Sequence, residues 1–277
     1  MRIAGLTYIL AAALAVIGAP SSAQTNTQTT SLQELTTGND ARGWEAVGRL
    51  DIDGKGFCTG ALIAPDLVLT AAHCMFEKTA PAPVDTNRVS FLAGLRGGRP
   101  EATRTIRRAI IHPSYRHTGE ATHDIVPFDV ALLQLSQPIR TSRVTPFEIS
   151  TQTSRGTQIG VVSYAQDRIE APSLQEICNV LGQQDGVLIM DCDVDFGASG
   201  APIFRTENGV PRLVSVVSAM AELDGAKVAL GMDLAAPIAT LRAELDSGGT
   251  GLNSAPTTAR VLNSGQRNDT GALFVRP

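Results

Sequence analysis

Leu67-Val68-Leu69-Thr70-Ala71-Ala72-His73-Cys74 is an apolar, strand-like run that ends on an imidazole anchored by a neighbouring cysteine. A lone histidine is more often structural than reactive, so its meaning depends on what else the chain supplies. Two further motifs follow in order. In Phe128-Asp129-Val130-Ala131-Leu132-Leu133 a carboxylate leads directly into an apolar strand, and in Phe196-Gly197-Ala198-Ser199-Gly200-Ala201-Pro202 a serine stands between glycines. A serine hydroxyl is a poor nucleophile at neutral pH. It needs an imidazole to take its proton and a buried carboxylate to hold that imidazole in the useful tautomer. His73, Asp129 and Ser199 are the candidates for these parts. Asp124, beside His123 in a less apolar stretch, is the weaker acid candidate, because Asp129 heads a buried run and needs the partner that His73 would provide.

Taken together, the Ala-Ala-His-Cys strand end, the Asp-Val-Ala-Leu-Leu strand and the Gly-x-Ser-Gly-x-Pro loop resemble the chymotrypsin/trypsin-like serine peptidases over residues 44 to 245. Cys178 and the Asp191-Cys192-Asp193 run are more similar to the bacterial glutamyl-endopeptidase-like branch. The resemblance implies an all-β fold of two six-stranded antiparallel β-barrels with a C-terminal helix. It implies endopeptidase activity through an acyl-enzyme on Ser199, an oxyanion hole from the N–H groups of Gly197 and Ser199, and no cofactor. It also implies a Cys58–Cys74 disulfide, which leaves Cys178 to pair with Cys192. An α/β-hydrolase is rejected, because its nucleophile elbow needs Gly where Ala201 stands and its residues run in the order Ser, acid, His.

Short β-rich runs support the barrels: 46–52, 60–63, 67–70, 89–93, 106–111 and 130–135, then 158–164, 176–181, 187–192, 202–205, 213–220 and 227–233. Leu234, Ile238, Leu241 and Leu245 recur at helical spacing. The expected organisation is an N-terminal barrel over 44–140, a C-terminal barrel and helix over 141–245, and a flexible Gly/Ser/Thr/Asn-rich tail over 246–277. Residues 24–43, rich in Thr, Gln and Asn, read as a polar linker or a pro-segment.

Residues 1–23 carry Arg2, an apolar run from Leu6 to Ile17 and a small-residue end at Ser21-Ser22-Ala23, which reads as a secretory signal cleaved after Ala23. The run is shorter than the ~20 residues a membrane span requires. A secreted or periplasmic, monomeric protein without a membrane anchor in its mature form is expected. The net charge of -4 offers no basic face for nucleic acid, so the expected partner is a peptide or protein substrate.

Specificity is less determined. By resemblance, Asp193 stands at the position, six before the nucleophile, that sets basic side-chain preference, and its carboxylate would pair with Arg or Lys. Val217 stands where glutamyl-specific enzymes place a pocket histidine. Val217, Ser218, Ala219 and Met220 lie along the strand that would hold extended substrate, and Met220, where many relatives have Gly, would narrow the pocket mouth. Ala198 replaces the aspartate that trypsin-like enzymes pair with a new N-terminus, so no such ion pair forms. This departure and Met220 motivate the alternative of a catalytically silent peptide-binding homologue. Asp191, Asp193 and Asp195 alternate as in a strand and lack the closing Glu of a calcium loop, so no metal site is expected. His112, His117 and His123 read as bystanders.

Overall fold

A computed structural model describes residues 28–77, 82–119, 121–248 and 251–253. The expected signal segment and most of the expected tail lie outside them. Among the described residues, fourteen strands and one α-helix are formed. A first set comprises β2 (Val47–Ile52), β3 (Gly56–Ala64), β4 (Leu67–Thr70), β5 (Val89–Ala93), β6 (Ala102–Ile111) and β7 (Ala131–Leu135). These pair antiparallel in the order β6-β5-β2-β3-β4-β7, and β7 returns to β6, closing a six-stranded barrel.

The second set comprises β8 (Gln158–Ala165), β9 (Arg168–Gln184), β10 (Val187–Met190), β11 (Pro202–Glu207), β12 (Val210–Leu223) and β13 (Ala226–Met232). It runs β9-β10-β13-β12-β11-β8 and closes through β8–β9. Three of its hairpins turn on two residues with positive φ, Asp185-Gly186, Asn208-Gly209 and Asp224-Gly225. That geometry matches the right-handed twist of the flanking strands. Helix α1 (Ala235–Asp246) buries Ile238 and Leu241 in the larger apolar cluster, which also takes in the first barrel and Tyr164, Phe204 and Met232 from the second.

Both barrels gain one strand more than expected. β1 (Gln33–Glu34), inside the polar segment, pairs with β9, and β14 (Leu252–Asn253) pairs with β6. The two disulfides form as the resemblance implies: Cys58–Cys74 with Cα atoms 6.2 Å apart and Cys178–Cys192 at 5.0 Å.

His112 is a buried histidine of the first barrel. It stacks on Phe128 at 5.1 Å between ring centroids, and its Nδ1 accepts the Ser114 N–H at 3.2 Å. Burial lowers its pKa from the ordinary 6.5. The unfolded chain therefore takes up a proton that the folded chain resists. Stability from this group is complete above about pH 6.5 and is lost as pH falls through the depressed folded value. His112→Phe is expected to narrow the gap between the melting temperatures at about pH 7.5 and about pH 5.5. An unchanged gap in thermal scans would refute this.

Candidate active site

The strand β4 ends at Thr70, and the chain turns at once into a 3₁₀ turn over Ala72–Met75 that carries His73. Cys74, tied to Cys58 on β3, fixes this turn against the barrel wall. A second 3₁₀ turn, Val126–Phe128, delivers Asp129 just before β7. Because β4 and β7 are paired neighbours, the two side chains meet at the same barrel end.

Asp129 is 3 % exposed, and both of its oxygens are used. Oδ1 accepts the backbone N–H of His73 at 2.8 Å, and Oδ2 lies 2.7 Å from His73 Nδ1. Oδ2 also accepts the hydroxyl of Ser218, from β12, at 2.5 Å. Burial opposes the carboxylate's charge, yet the His73 imidazole, the Ser218 hydroxyl and the His73 N–H together hold the group below the usual carboxylate range. Asp129 is thus an ionised group that keeps a proton on Nδ1 of His73 and leaves Nε2 as that ring's remaining nitrogen. Asp124, by contrast, is exposed and bonded to Thr122 at 2.6 Å.

The nucleophile-candidate loop comes from the other barrel. Thr59, fully buried on β3, ties it down: its N–H donates to the Ser199 carbonyl at 2.8 Å and its hydroxyl to the Gly197 carbonyl at 2.9 Å. The Thr59 carbonyl accepts from the Thr70 hydroxyl at 2.8 Å, so one residue joins the Ser199 loop to the strand that leads into His73. Phe57 packs against Gly197, and Gly200, at φ +74°, lies against Thr70, Thr59 and Ala71. Side chains at these two glycines would push the barrels apart.

Peptide planes orient the loop's donors. The Phe196 carbonyl accepts from the Gln166 N–H at 2.9 Å and the Ala198 carbonyl from the Ala201 N–H at 2.8 Å. A trans peptide points its N–H opposite its C=O, so the N–H groups of Gly197 and Ser199 are turned away from those bonds. Among the described residues neither N–H donates to a protein acceptor. Two backbone N–H groups beside a serine stabilise developing negative charge on a carbonyl oxygen where they converge on it.

Ser218 is the residue whose role sequence reasoning missed. It lies on the expected substrate edge, and with 5 % exposure its side chain turns inward to Asp129. The register of β12 against β13 shifts between Val217 and Ala219, which gives Ser218 this direction. Ser218→Ala leaves a buried carboxylate one donor short and is expected to lower stability by about 2 kcal/mol in urea unfolding. A loss below about 0.5 kcal/mol would show that Asp129 does not depend on it.

The remaining expected site residues are dispersed around this centre. Val217 is buried, and its N–H and carbonyl are taken by Ala201 and Gly200. Ala219 is half-buried and Met220 is 38 % exposed, as part of the same β12 stretch. Asp193 is exposed, and its backbone N–H donates to Gln175 Oε1 at 2.7 Å. Phe196, next to Gly197, is 66 % exposed and adds an apolar side chain beside the loop.

His117, expected as a bystander, stacks on Phe76 at 4.6 Å and contacts the Tyr115 hydroxyl through Nδ1 at 3.1 Å. Its pKa is lowered by burial and by the charge of His73. Cys58, His73 and Cys74 come within 4.8 Å of one another, but both sulfurs are joined in a disulfide and offer no thiolate to a metal.

The comparisons agree with this architecture. A solved structure of a Glu endopeptidase superposes with a TM-score of 0.64 over 76% of this chain and 95% of that one, at 18% identity, which is a likeness of fold. A trypsin from Saccharopolyspora erythraea is 30% identical over 104 residues, 38% of this chain and 40% of that protein. A modular serine protease of Drosophila melanogaster is 38% identical over 93 residues, 31% of this chain and 14% of that protein. The chain thus spans less than half the length of these two relatives. The family model described as Trypsin matches residues 36–242, which takes in both barrels and every residue of the centre, and the chain belongs to the trypsin family.

Proposed function

We propose that the protein is a secreted serine endopeptidase that cleaves peptide bonds through an acyl-enzyme on Ser199. The observation that carries this reading is the Asp129–His73 pair, clasped by Ser218 from the second barrel, with the Ser199 loop tied through Thr59 to the segment that bears His73. In the first half-reaction His73 Nε2 takes the Ser199 hydroxyl proton as Oγ attacks the substrate carbonyl carbon. The imidazolium is stabilised by Asp129 and the oxyanion by the Gly197 and Ser199 N–H groups. His73 then gives its proton to the leaving amine, and the C–N bond breaks. In the second half water adds to the acyl carbon, His73 takes its proton and returns it to Ser199 Oγ, and the acid product departs.

Substrate lies as an added strand. β12 pairs with β11 only as far as Val216, and beyond it pairs with β13 on one side, so the other edge of Ser218–Met220 has no strand partner among the described residues. Main-chain hydrogen bonds along that edge supply most of the affinity. Two disulfides fit an oxidising compartment, in agreement with the signal-like residues 1–23, and no helix among the described residues is long and apolar enough to cross a membrane.

A fluorophosphonate probe tests the reading. One adduct is expected, located by peptide mass spectrometry to the segment containing Ser199. Absence of any adduct on folded protein would overturn it in favour of a peptide-binding homologue without catalysis.

A further inference from the structure

The polar segment ahead of the first barrel is built into the second. Thr30 donates its N–H to the Ile177 carbonyl at 2.9 Å and accepts the Ile177 N–H on its hydroxyl at 2.9 Å. Gln33 and Glu34 pair with Leu174 and Ser173, and Leu35, 1 % exposed, seals the end of the strand. A stretch of Thr, Gln and Asn thus gains its order from β9 rather than from its own composition.

Two nearly buried amide side chains on β9 bridge this segment and the approach to Ser199. Gln175, 3 % exposed, donates Nε2 to the Thr30 carbonyl at 2.9 Å and accepts the Asp193 N–H on Oε1 at 2.7 Å. Asn179, also 3 % exposed, donates Nδ2 both to the Gln28 carbonyl at 3.3 Å and to Asp191 Oδ2 at 3.0 Å. Its backbone exchanges two more bonds with Asp191. The Cys178–Cys192 disulfide lies between these two grips. Beyond Asp193 the loop receives no charge from Ala198, which is fully buried among apolar residues.

We propose that residues 28–35 are a positioning strand for the nucleophile loop: through Gln175 and Asn179 they hold Asp191–Asp193 in place and so set the frame from which Gly197 and Ser199 project. This rests on the peptidase reading of Ser199. The strand stays with the active protein, and a cut or displacement behind Leu35 lowers activity instead of releasing it. Gln175 and Asn179 act through the loop and do not touch substrate. A shift of about 1 Å in a reacting group is enough to cost about a hundred-fold in rate, so a loosened frame is read as slower chemistry.

The test uses the full chain with Thr30→Pro, which removes the N–H and hydroxyl at the strand's outer end, and Gln175→Leu, which cuts the relay at its centre. Both are expected to react with a fluorophosphonate about ten-fold more slowly at saturating probe, with half-saturation little changed, and to lose hydrogen-exchange protection at the Asp193 amide. Thr30→Ser, which keeps both donors and the acceptor, is expected to match the unaltered chain. Thr30→Pro is peripheral to the core and decides the matter if Gln175→Leu fails to fold. Normal labelling of Thr30→Pro with Asp193 protection lost overturns the positioning role, and unchanged protection in both variants overturns the relay. If the unaltered chain is not labelled, the peptidase reading fails. The exchange measurement then decides alone whether the strand holds the loop.

Discussion

Asp129→Asn is expected to fold normally and to lose about ten-thousand-fold in kcat, with KM nearly unchanged. The reason lies in which donors face the carboxylate. The position of Oδ1 meets the His73 backbone N–H, which can only donate, so an amide at residue 129 must place its oxygen there. Its NH₂ then occupies the position of Oδ2, opposite His73 Nδ1 and the Ser218 hydroxyl. Both can accept, so the substituted site is fully hydrogen-bonded and stable. The cost is chemical. With Nδ1 accepting, the ring proton moves to Nε2, and the nitrogen that should take the Ser199 proton already carries one. Because Asp129 is buried and reaches the substrate edge only through the Ser218 hydroxyl, which stays bonded, binding is spared. A variant within ten-fold of the parent in kcat would show that His73 is not the base, whatever the fate of Ser199.

The candidate residues His73, Asp129 and Ser199 each sit inside a pattern of sequence that constrains them. His73 follows the fully buried strand β4 and precedes a cysteine, Asp129 leads into the largely apolar β7, and Ser199 lies between two glycines that adopt positive φ. Strand existence was equally legible: most of the twelve expected runs match a strand of the barrels within a few residues. What failed were features that depend on partners distant in sequence. β9 extends over Arg168–Gln184, well beyond the expected 176–181, because its outer half is stabilised by pairing with β8 and β1 rather than by its own alternation. Gln175 falls in that unforeseen half, so its link to Thr30 and Asp193 had no local signature.

Ser218 is a subtler case. The strand 213–220 was expected, but a register shift beside one residue turns a side chain from the sheet edge into the interior, and no periodicity in the sequence announces it. His117 shows the same limit, since a histidine in a polar loop gives no sign that folding will stack it on Phe76. The polar composition of 24–43 is poor in strand propensity. Tertiary hydrogen bonds nevertheless order its described part.

Gly200→Ala is expected to produce the other large effect, a loss of about a hundred-fold in kcat together with about 3 kcal/mol of stability. Two penalties combine. At φ +74° an L side chain is strained, and its Cβ would come to 2.8 Å from the Ala71 N while crowding Thr70 and Thr59. Nothing there can yield cheaply, because Thr59 and Thr70 are fully buried and bonded to each other, and Ala71 leads into the turn that carries His73. The loop must therefore retreat, stretching the Thr59–Ser199 and Gly200–Val217 bonds and drawing Ser199 away from the imidazole.

Gly209→Ala separates the two penalties. Gly209 has a similar φ, +79°, but nothing lies within 4 Å of the added carbon, so only the strain of roughly 1 kcal/mol is expected and kcat should not change. Urea unfolding and steady-state kinetics on the pair check this. If Gly200→Ala behaves like Gly209→Ala in both measurements, close packing between the Ser199 loop and the His73 segment is not what aligns the two barrels for catalysis.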